Sequence, residues 1–396
     1  MAAGPVHLLG GSICFGLIAL NAWWLWEGRP PPDLKALGKL TDPAQVESGL
    51  RRRLDASPHD GETRMRLAMH LATLNRPRES AEMLAQVPFF WPSKPLARDF
   101  EGRQWLLAGH AAKAERAFRA FLAVDPNHPQ ERPERFRCEN DLIDLLRLED
   151  RWDEVRELVW AIYDRSPPAA RPGWVIQALR TRLERSSPTA ALPRLRVYAE
   201  ADPADWRARR ALARAAQAQG EIATADRESL DAVAANPLDV AARRDRLGIL
   251  KARGDARGVL QAAADLPPDS DNDGETWALR AWAYTQLGDI KAAVDAYRRA
   301  AQILPFEPEV AYQLSLVERR RGNPTAAESA RRRATSLRDA RAAVPKLLTE
   351  FYDADQSPDP SRRGPRADAA RSLAERCRAL GWVRDAEAWG RLPTEF

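Results

Sequence analysis

The sequence predicts an all-α protein built from repeated helical hairpins, and two observations carry this prediction. Ala and Arg are abundant whereas strand-favouring residues are sparse, and the 44% of hydrophobic residues can bury a core. Four glycines, each followed by Glu, Asp or Asn, recur at intervals of 34 residues: Gly220, Gly254, Gly288 and Gly322. Because Gly accepts tight turns without strain, each is expected to join two antiparallel helices.

Small residues follow these glycines at a fixed distance. Ala225, Ala293 and Ala327 come five residues after three of them, and Val259 holds the corresponding place after Gly254. Small side chains let the second helix of a hairpin approach the first closely. The four units therefore share a turn glycine and a small or apolar residue at the expected contact between the two helices.

Residues 1–27 are predicted to form a transmembrane or signal-anchor segment. From Val6 to Trp26 no Asp, Glu, Lys or Arg occurs, and at about 1.5 Å per residue this length spans the roughly 30 Å of a hydrocarbon core. Tryptophans crowd one end, where indole rings prefer the headgroup level. The sequence predicts a single-pass membrane protein whose anchor is followed by a Pro-rich linker at 28–42.

A cleaved signal peptide, with cleavage after Ala22, and a buried helix are the alternatives to the anchor. No Lys or Arg precedes the apolar run and the cleavage site is poor, so the anchor is preferred. Arg29, Lys35 and Lys39 follow the segment, which taken alone places the repeats in the cytoplasm. Many short N-terminal anchors nevertheless export the domain attached to them, so the side of the membrane stays open.

The unit from Gly274 to Glu307 carries the clearest pattern, and its spacing resembles the tetratricopeptide repeat. Its matching positions are Trp277, Ala281, Tyr284, Gly288, Ala293, Tyr297, Ala300 and Pro305. The unit from Pro95 to His128 matches through Gly102, Trp105, Gly109, Ala114, Phe118, Phe121 and Pro126. The resemblance implies a right-handed superhelical solenoid of helix-turn-helix repeats, preceded here by one transmembrane helix.

The phase of this pattern divides the remainder of the chain into about nine units. Units are expected to begin near Gly61, Pro95, Phe136, Pro172, Trp206, Val240, Gly274 and Pro308. Residues 43–57 are expected to cap the array, which with this helix occupies 43–341. One extra helix is expected over 341–352, followed by a flexible linker, so that 342–366 interrupts the array. Residues 367–396 are expected to form a degenerate hairpin.

No catalytic motif is present, which predicts a protein that is not an enzyme and has no cofactor or metal. The sequence lacks GxSxG, a Walker loop, HExxH and a dinucleotide fingerprint, and its histidines are scattered. The three cysteines lie far apart, so neither a disulfide framework nor a CxxC site is indicated. An enzyme with catalytic residues hidden in 342–396 is the weaker alternative.

Asp269, Asp271 and Asp273, followed by Gly274, reproduce the opening of a calcium loop. The closing position, where such loops carry a bidentate Glu, holds Arg280. The same carboxylates suit a polar turn between two repeats. The sequence therefore favours a solvated turn over a calcium site.

In tetratricopeptide arrays the first helix of each unit lines the concave surface, so the resemblance nominates residues of that face as partner contacts. The early candidates are Met65, Met69 and Arg103, and the later, basic ones are Arg207, Arg210, Arg214, Arg244, Lys251, Arg319 and Arg320. Because Arg can hold a carboxylate through two parallel hydrogen bonds, acidic protein segments are the expected ligands. The interleaved acids and bases, with a formal net charge of only +5, equally suit solvated helix faces. The Lys and Asn clamp of chaperone-binding family members is not found, since Asn140 stands alone.

The sequence thus predicts a membrane-tethered scaffold that binds partner polypeptides in its concave groove and meets the lipid bilayer through its N-terminal helix. A noncatalytic subunit of an envelope biogenesis or secretion assembly fits the same features. A third interpretation is binding of nucleic acid or another anionic polymer through the basic groove. It is disfavoured because the aromatic residues that would stack on bases lie mostly at repeat-core spacing.

Overall fold

The computed structural model describes residues 33–88, 91, 94–124, 132–184, 187–355 and 363–392. These residues form helices joined by turns, without a β-strand among them. The expected anchor at 6–26 lies outside the described residues. Among the helices that are described, none combines the length and the apolar character needed to cross a bilayer.

The chain divides into two compact units, Met1–Glu139 and Asn140–Phe396. The division falls within one helix, α7. The helices of the first unit, up to and including this shared one, are α1 (Leu34–Leu37), α2 (Pro43–Ala56), α3 (Gly61–Thr73), α4 (Pro77–Ala85), α5 (Lys94–Leu107), α6 (Ala111–Leu122) and α7 (Arg132–Leu148).

The second unit continues from α7 as a further succession of helices. They are α8 (Trp152–Arg165), α9 (Arg171–Leu183), α10 (Pro188–Ala201), α11 (Trp206–Ala218), α12 (Ile222–Ala235), α13 (Val240–Ala252), α14 (Ala256–Ala264), α15 (Gly274–Leu287), α16 (Ile290–Ile303), α17 (Pro308–Arg320), α18 (Pro324–Asp355), α19 (Arg363–Ala379) and α20 (Val383–Arg391). From α3 onward the odd-numbered helices correspond to the first helices of the expected units. Consecutive helices pack as pairs, for example α11 with α12 and α15 with α16.

Aspartate caps fix where many of these helices begin. The side chain of each accepts a hydrogen bond from a backbone N–H of the first turn, where the helix itself leaves N–H groups unpaired. The aspartates with this bond are Asp33, Asp42, Asp60, Asp205, Asp239, Asp255 and Asp289. Loss of such a cap typically costs about 1 kcal/mol, so residues next to each of these helices help to fix where it begins.

Eight of the described turns between paired helices contain a residue in the left-handed backbone conformation. The four glycines singled out by their spacing have φ between +75° and +87°, as do Gly109 (+80°) and, nearly, Gly381 (+70°). Asn75 and Asp150 adopt φ of 56° and 57° at the corresponding turns of two other hairpins. Short polar side chains make this conformation accessible to Asn and Asp. The glycine spacing alone did not show these two turns.

The small residues on the second helices lie in the core, as their spacing predicts. Ala225, Val259 and Ala293 are completely buried. Ala293 packs in one apolar cluster with Ala281 of α15 and Val317 of α17. Apolar packing therefore joins this hairpin to the next.

Helix α18 differs from the expectation of a separate helix over 341–352. It runs without interruption from Pro324 to Asp355, with Pro345 inside it. Its buried residues keep a helical spacing along the whole length: Ala327, Ala334, Leu337, Ala340, Val344, Phe351 and Ala354. Because this apolar stripe has no break, the second helix of the unit and the extra helix are one element.

The last hairpin contacts both its predecessor and an early part of the second unit. Helix α19 packs along α18, and α20 contacts α9. Phe351 of α18 meets Trp389 of α20 edge to face, with ring centroids 4.9 Å apart. Residues 356–362, within the expected flexible linker, lie outside the described residues. The array of the second unit therefore closes on itself, which the sequence did not predict.

Candidate polypeptide-binding surface

A cleft of about 580 Å³ in the second unit brings together four of the expected groove residues. We call it the arginine cleft. Its walls come from the start of α8 and from the first helices α11, α13 and α15. The lining residues are Asp150, Arg151, Trp152, Asp153, Glu154, Arg156, Trp206, Arg207, Arg210, Arg214, Asp239, Ala241, Arg244 and Glu275.

One carboxylate, that of Asp245, neutralises much of the positive charge beneath the cleft. The side chain of Asp245 is only 10% exposed, and its oxygens lie 3.2 Å from Arg210 Nε, 3.7 Å from Arg214 Nη1 and 3.8 Å from Arg244 Nε. Three guanidinium groups thus share one buried acid. Such sharing fixes the arginines in place and lowers the net charge that a ligand meets.

Arg214 and Arg244 have further acidic partners. Arg214 Nη2 lies 2.5 Å from Asp150 Oδ2, and Arg244 lies 3.3 Å from Asp273 and 3.0 Å from Glu275. Burial alone would lower the pKa of Arg244, but these carboxylates and Asp245 raise it overall, so the group stays charged. The lining holds six arginines against five carboxylates. The cleft is therefore close to electrically balanced, and less basic than the sequence suggested.

Arg207 and Arg210 retain the most capacity for a ligand. The guanidinium of Arg207 lies 4.5 Å from the ring centroid of Trp206 and has no carboxylate partner among the described residues. Arg210 is 9% exposed, and within the same residues its Nε donates no hydrogen bond, although Asp245 is near. The two residues are three positions apart on α11 and so share one face. Together they present guanidinium donors at the wall of the cleft.

The remaining expected contacts lie elsewhere. Lys251 is exposed on α13, with its Nζ 5.9 Å from the ring centroid of Trp282. Arg319 and Arg320 are exposed in the last turn of α17, where the negative end of the helix dipole favours cations.

The three early candidates belong to the first unit. Met69 is 53% exposed on α3, while Met65 packs beside the buried Leu84 and its neighbours. Arg103 of α5 is ion-paired with Asp99 at 2.5 Å. Met69 alone of the three therefore offers a largely open side chain.

A second cavity of about 480 Å³ gives Asn140 neighbours that the sequence did not reveal. Its lining comes from α7 and α9: Asn140, Ile143, Asp144, Arg147, Gly173, Trp174 and Gln177. The sequence analysis did not identify these residues, nor Trp152 and Trp206 of the arginine cleft. The 34-residue spacing identifies the buried positions of each repeat, whereas cavities form between the exposed faces of neighbouring helices.

Two further cavities are properties of the repeat rather than specific sites. Arg196, Pro203 and Leu212 line one of them, and Arg298, Pro305 and Leu314 line the other. Each residue of the second set follows its counterpart by 102 positions (298 − 196), which is three repeats of 34. The same step in the stacking of similar hairpins thus leaves a hollow in both places.

The carboxylates that resemble a calcium loop have protein partners. Asp273 accepts a hydrogen bond from Thr276 Oγ1 at 2.5 Å and pairs with Arg244, while Asp271 lies 3.8 Å from Arg280. Across the part of the chain that the structure describes, no group of three or more His, Cys, Asp or Glu is placed to hold a metal ion.

Comparison with known proteins identifies one unit directly. Residues 274–305 match the family model described as tetratricopeptide repeat, and these residues form α15 and α16. No curated protein matches the sequence. The match covers a single hairpin, and the other hairpins are tetratricopeptide-like by their helix pairs and turn spacing.

Solved structures with similar helical arrays have low identity and low TM-scores. MamA from Desulfovibrio magneticus RS-1 is 17% identical, with a TM-score of 0.35 over 42% of this chain and 94% of that one. Pseudomonas aeruginosa PilF is 17% identical, with a TM-score of 0.35 over 55% and 87%. A chain of the APC/C hetero-tetramer Cut9–Hcn1 is 14% identical, with a TM-score of 0.35 over 89% and 78%.

Proposed function

We propose that this protein is a non-catalytic scaffold that binds an acidic segment of a partner polypeptide in the arginine cleft. The observation that carries the proposal is the pair Arg207 and Arg210, whose guanidinium groups lie at the cleft wall with hydrogen-bonding capacity to spare. Hydrogen bonds between a guanidinium and a carboxylate are charge-assisted, so a ligand that supplies carboxylate oxygens gains more here than one that offers neutral acceptors.

The balanced charge of the cleft favours a defined acidic segment over a general polyanion. A long polyanion would meet the five lining carboxylates as well as the arginines. A short segment can instead place one or two carboxylates against Arg207 and Arg210 and avoid the acids near α8. Trp206 adds an apolar wall beside them, suited to the carbon chain of a neighbouring ligand residue.

The same proposal assigns residues 6–26 the role of a single-pass membrane tether, supported by their length and lack of charge. The repeats then hold partners at a membrane, as a subunit of an envelope assembly would. Alkaline extraction of membranes tests the tether. The full chain should stay in the pellet and a chain lacking residues 1–27 should be released, whereas release of the full chain refutes a spanning segment.

The binding proposal is tested with a fluorescein-labelled peptide of about ten residues carrying alternating Glu, against the same peptide with Gln. Titration should show saturable binding of the Glu peptide alone. The double variant Arg207→Gln/Arg210→Gln should weaken it at least about tenfold, since two charge-assisted contacts are removed. Arg257→Gln, an exposed change on α14, is the matched control and should have no effect.

Two results would contradict the proposal. Equal binding of the Glu and Gln peptides would show that carboxylates are not recognised. Tighter, salt-sensitive retention of generic RNA than of the Glu peptide, lost in the same double variant, would favour the nucleic-acid interpretation.

A further inference from the structure

The carboxylate of Asp245 compensates charge beneath the arginine cleft without using up hydrogen-bond donors. Its Oδ2 lies 3.2 Å from Arg210 Nε and 3.7 Å from Arg214 Nη1. Within the described part of the chain, neither Asp245 Oδ2 nor Arg210 Nε takes part in a hydrogen bond. Asp245 therefore supplies negative charge to Arg210 and leaves the donors of that guanidinium unoccupied.

The other two arginines that share Asp245 have acidic partners of their own. Arg214 pairs with Asp150, and Arg244 pairs with two further acids. For Arg210, in contrast, Asp245 is the carboxylate partner, and the described residues supply no second one. Removal of the charge of Asp245 would therefore be felt mainly by Arg210.

Arg207 and Arg210 form a pair of guanidinium groups on one face of α11. Arg207 comes three positions before Arg210, and its guanidinium has no carboxylate partner among the residues that the structure describes. Of the two charges, Asp245 thus compensates one and leaves the other. The pair offers many N–H donors to a carboxylate but only one uncompensated positive charge.

We propose that Asp245 limits the arginine cleft to ligands that bring a single carboxylate to Arg207 and Arg210. The proposal rests on the proposed function and specifies how much charge its acidic segment carries at the cleft. One carboxylate can accept hydrogen bonds from both guanidinium groups, because each of its two oxygens is an acceptor. A second carboxylate at the same place would meet a pair whose charge is already balanced, with Asp245 beneath it.

The burial of Asp245 makes it a specificity-determining residue rather than a ligand contact. Its side chain is 10% exposed, and it does not belong to the lining of the cleft. It acts on a ligand through its charge and through Arg210. Salt screens buried charges much less than exposed ones, so the limit on ligand charge should persist at physiological ionic strength.

The test is a series of fluorescein-labelled peptides of about ten residues that carry no Glu, one Glu, or two Glu separated by one residue, with Gln in the place of each missing Glu. For the unmodified full chain, the first Glu should tighten binding at least about tenfold. The second should add no more than about twofold, the gain from having two registers to choose from. In Asp245→Asn, which removes the charge and keeps the shape, the second Glu should add at least about fivefold, because Arg210 is no longer compensated.

Two further variants show whether the position of the lost charge matters. Asp226→Asn removes a carboxylate that Arg246 and Arg253 share elsewhere in the same unit, and it is the matched control. It should give the same two gains as the unmodified chain. Asp245→Glu keeps the charge and should restore the limit of one Glu. Circular dichroism at the temperature of the titration checks that each variant is folded.

The outcomes separate this proposal from the proposed function. If the second Glu adds more than about twofold in the unmodified chain, the limit is overturned without the need for any variant. Equal gains from the second Glu in Asp245→Asn and in the unmodified chain, with the first Glu recognised by both, overturn the role of Asp245 and leave the proposed function intact. Equal binding of all three peptides to the unmodified chain overturns the proposed function, and the limit with it.

Discussion

Arg246 occupies a place in α13 where tetratricopeptide units normally carry an apolar residue, and its contacts explain how the array accepts it. Its Nη1 donates to Asp226 Oδ1 and, at 3.1 Å, to Ser229 Oγ, both on α12. Arg253 Nη1 lies 2.9 Å from the other oxygen of Asp226. Two arginines and one carboxylate thus replace an apolar contact between neighbouring hairpins.

This cluster makes stability depend on pH. Burial tends to raise the pKa of Asp226, but hydrogen bonds from Arg246 and Arg253 outweigh it and the pKa is lowered. A carboxyl with a lowered folded pKa contributes stability above its unfolded pKa of about 3.9, and this stability is lost as pH falls through the folded value. Asp226→Asn should therefore flatten the fall in denaturation midpoint below about pH 5. A slope as steep as that of the unmodified chain would contradict this account.

At the scale of the helix, α13 contains one glycine and is followed by another, and the two have opposite expected effects. Gly254 follows its last turn with φ of +75°, whereas Gly248 lies inside it. At neither position does any atom lie within 4 Å of the place that a Cβ would occupy, so neither substitution is opposed by a clash. Only the backbone preference distinguishes them. The position of a residue that can adopt a positive φ therefore determines a hairpin as much as the positions of its apolar residues do.

The substitutions Gly254→Ala and Gly248→Ala test this distinction around one helix. Gly254→Ala should lower the free energy of unfolding by about 1–2 kcal/mol, because Ala is strained in the left-handed conformation. Gly248→Ala should raise it by roughly 0.5–1 kcal/mol through helix propensity. Urea denaturation followed by circular dichroism measures both. Equal changes in the free energy of unfolding would show that the left-handed conformation at Gly254 does not affect stability.

Helix α18 marks a limit of predicting elements from local signals. Pro345 suggests a boundary, because proline interrupts helical hydrogen bonding. The buried stripe from Ala334 through Val344 to Phe351 nevertheless continues past it. Packing over several turns outweighs one lost hydrogen bond, and only the neighbouring hairpins reveal that packing.

At the scale of the whole molecule, the sequence predicts the repeated hairpins and misses the contact that closes the second unit. Gly220 and Ala225 act within one hairpin, so their spacing in the sequence was enough to predict the turn and the helix contact. Arg182 and Asp385 are 203 residues apart and share no period, so no local pattern connects them. The arginines of the cleft were recognisable by type, but their neutralisation by Asp245 depends on how α11 and α13 are rotated against each other.

Gly381 joins the last hairpin to a distant turn and allows a test at this scale. A Cβ there would come within 2.3 Å of the ring of Phe306, and its φ is +70°; Gly322 has φ of +87° but open space. Gly381→Ala should therefore cost more than Gly322→Ala, with increased hydrogen exchange over 363–392. Combining Gly381→Ala with Phe306→Ala should restore part of the loss, as a coupled pair does. Equal costs at both glycines would show that the ring contact is unimportant.

Asp150 shows how a repeat can gain chemistry without changing its helices. It occupies the left-handed turn between α7 and α8, where most other hairpins use glycine, and its carboxylate pairs with Arg214 of α11. The side chain of a turn residue can thus contact a residue on another hairpin. Substituting Asp or Asn for Gly220 or Gly254 would add a polar side chain that can contact a neighbouring hairpin. The expected loss of folding free energy is about 1 kcal/mol for each turn, because Asn and Asp adopt the left-handed conformation with little strain. Substitution of a turn glycine after duplication of a repeat would add polar contacts in the same way.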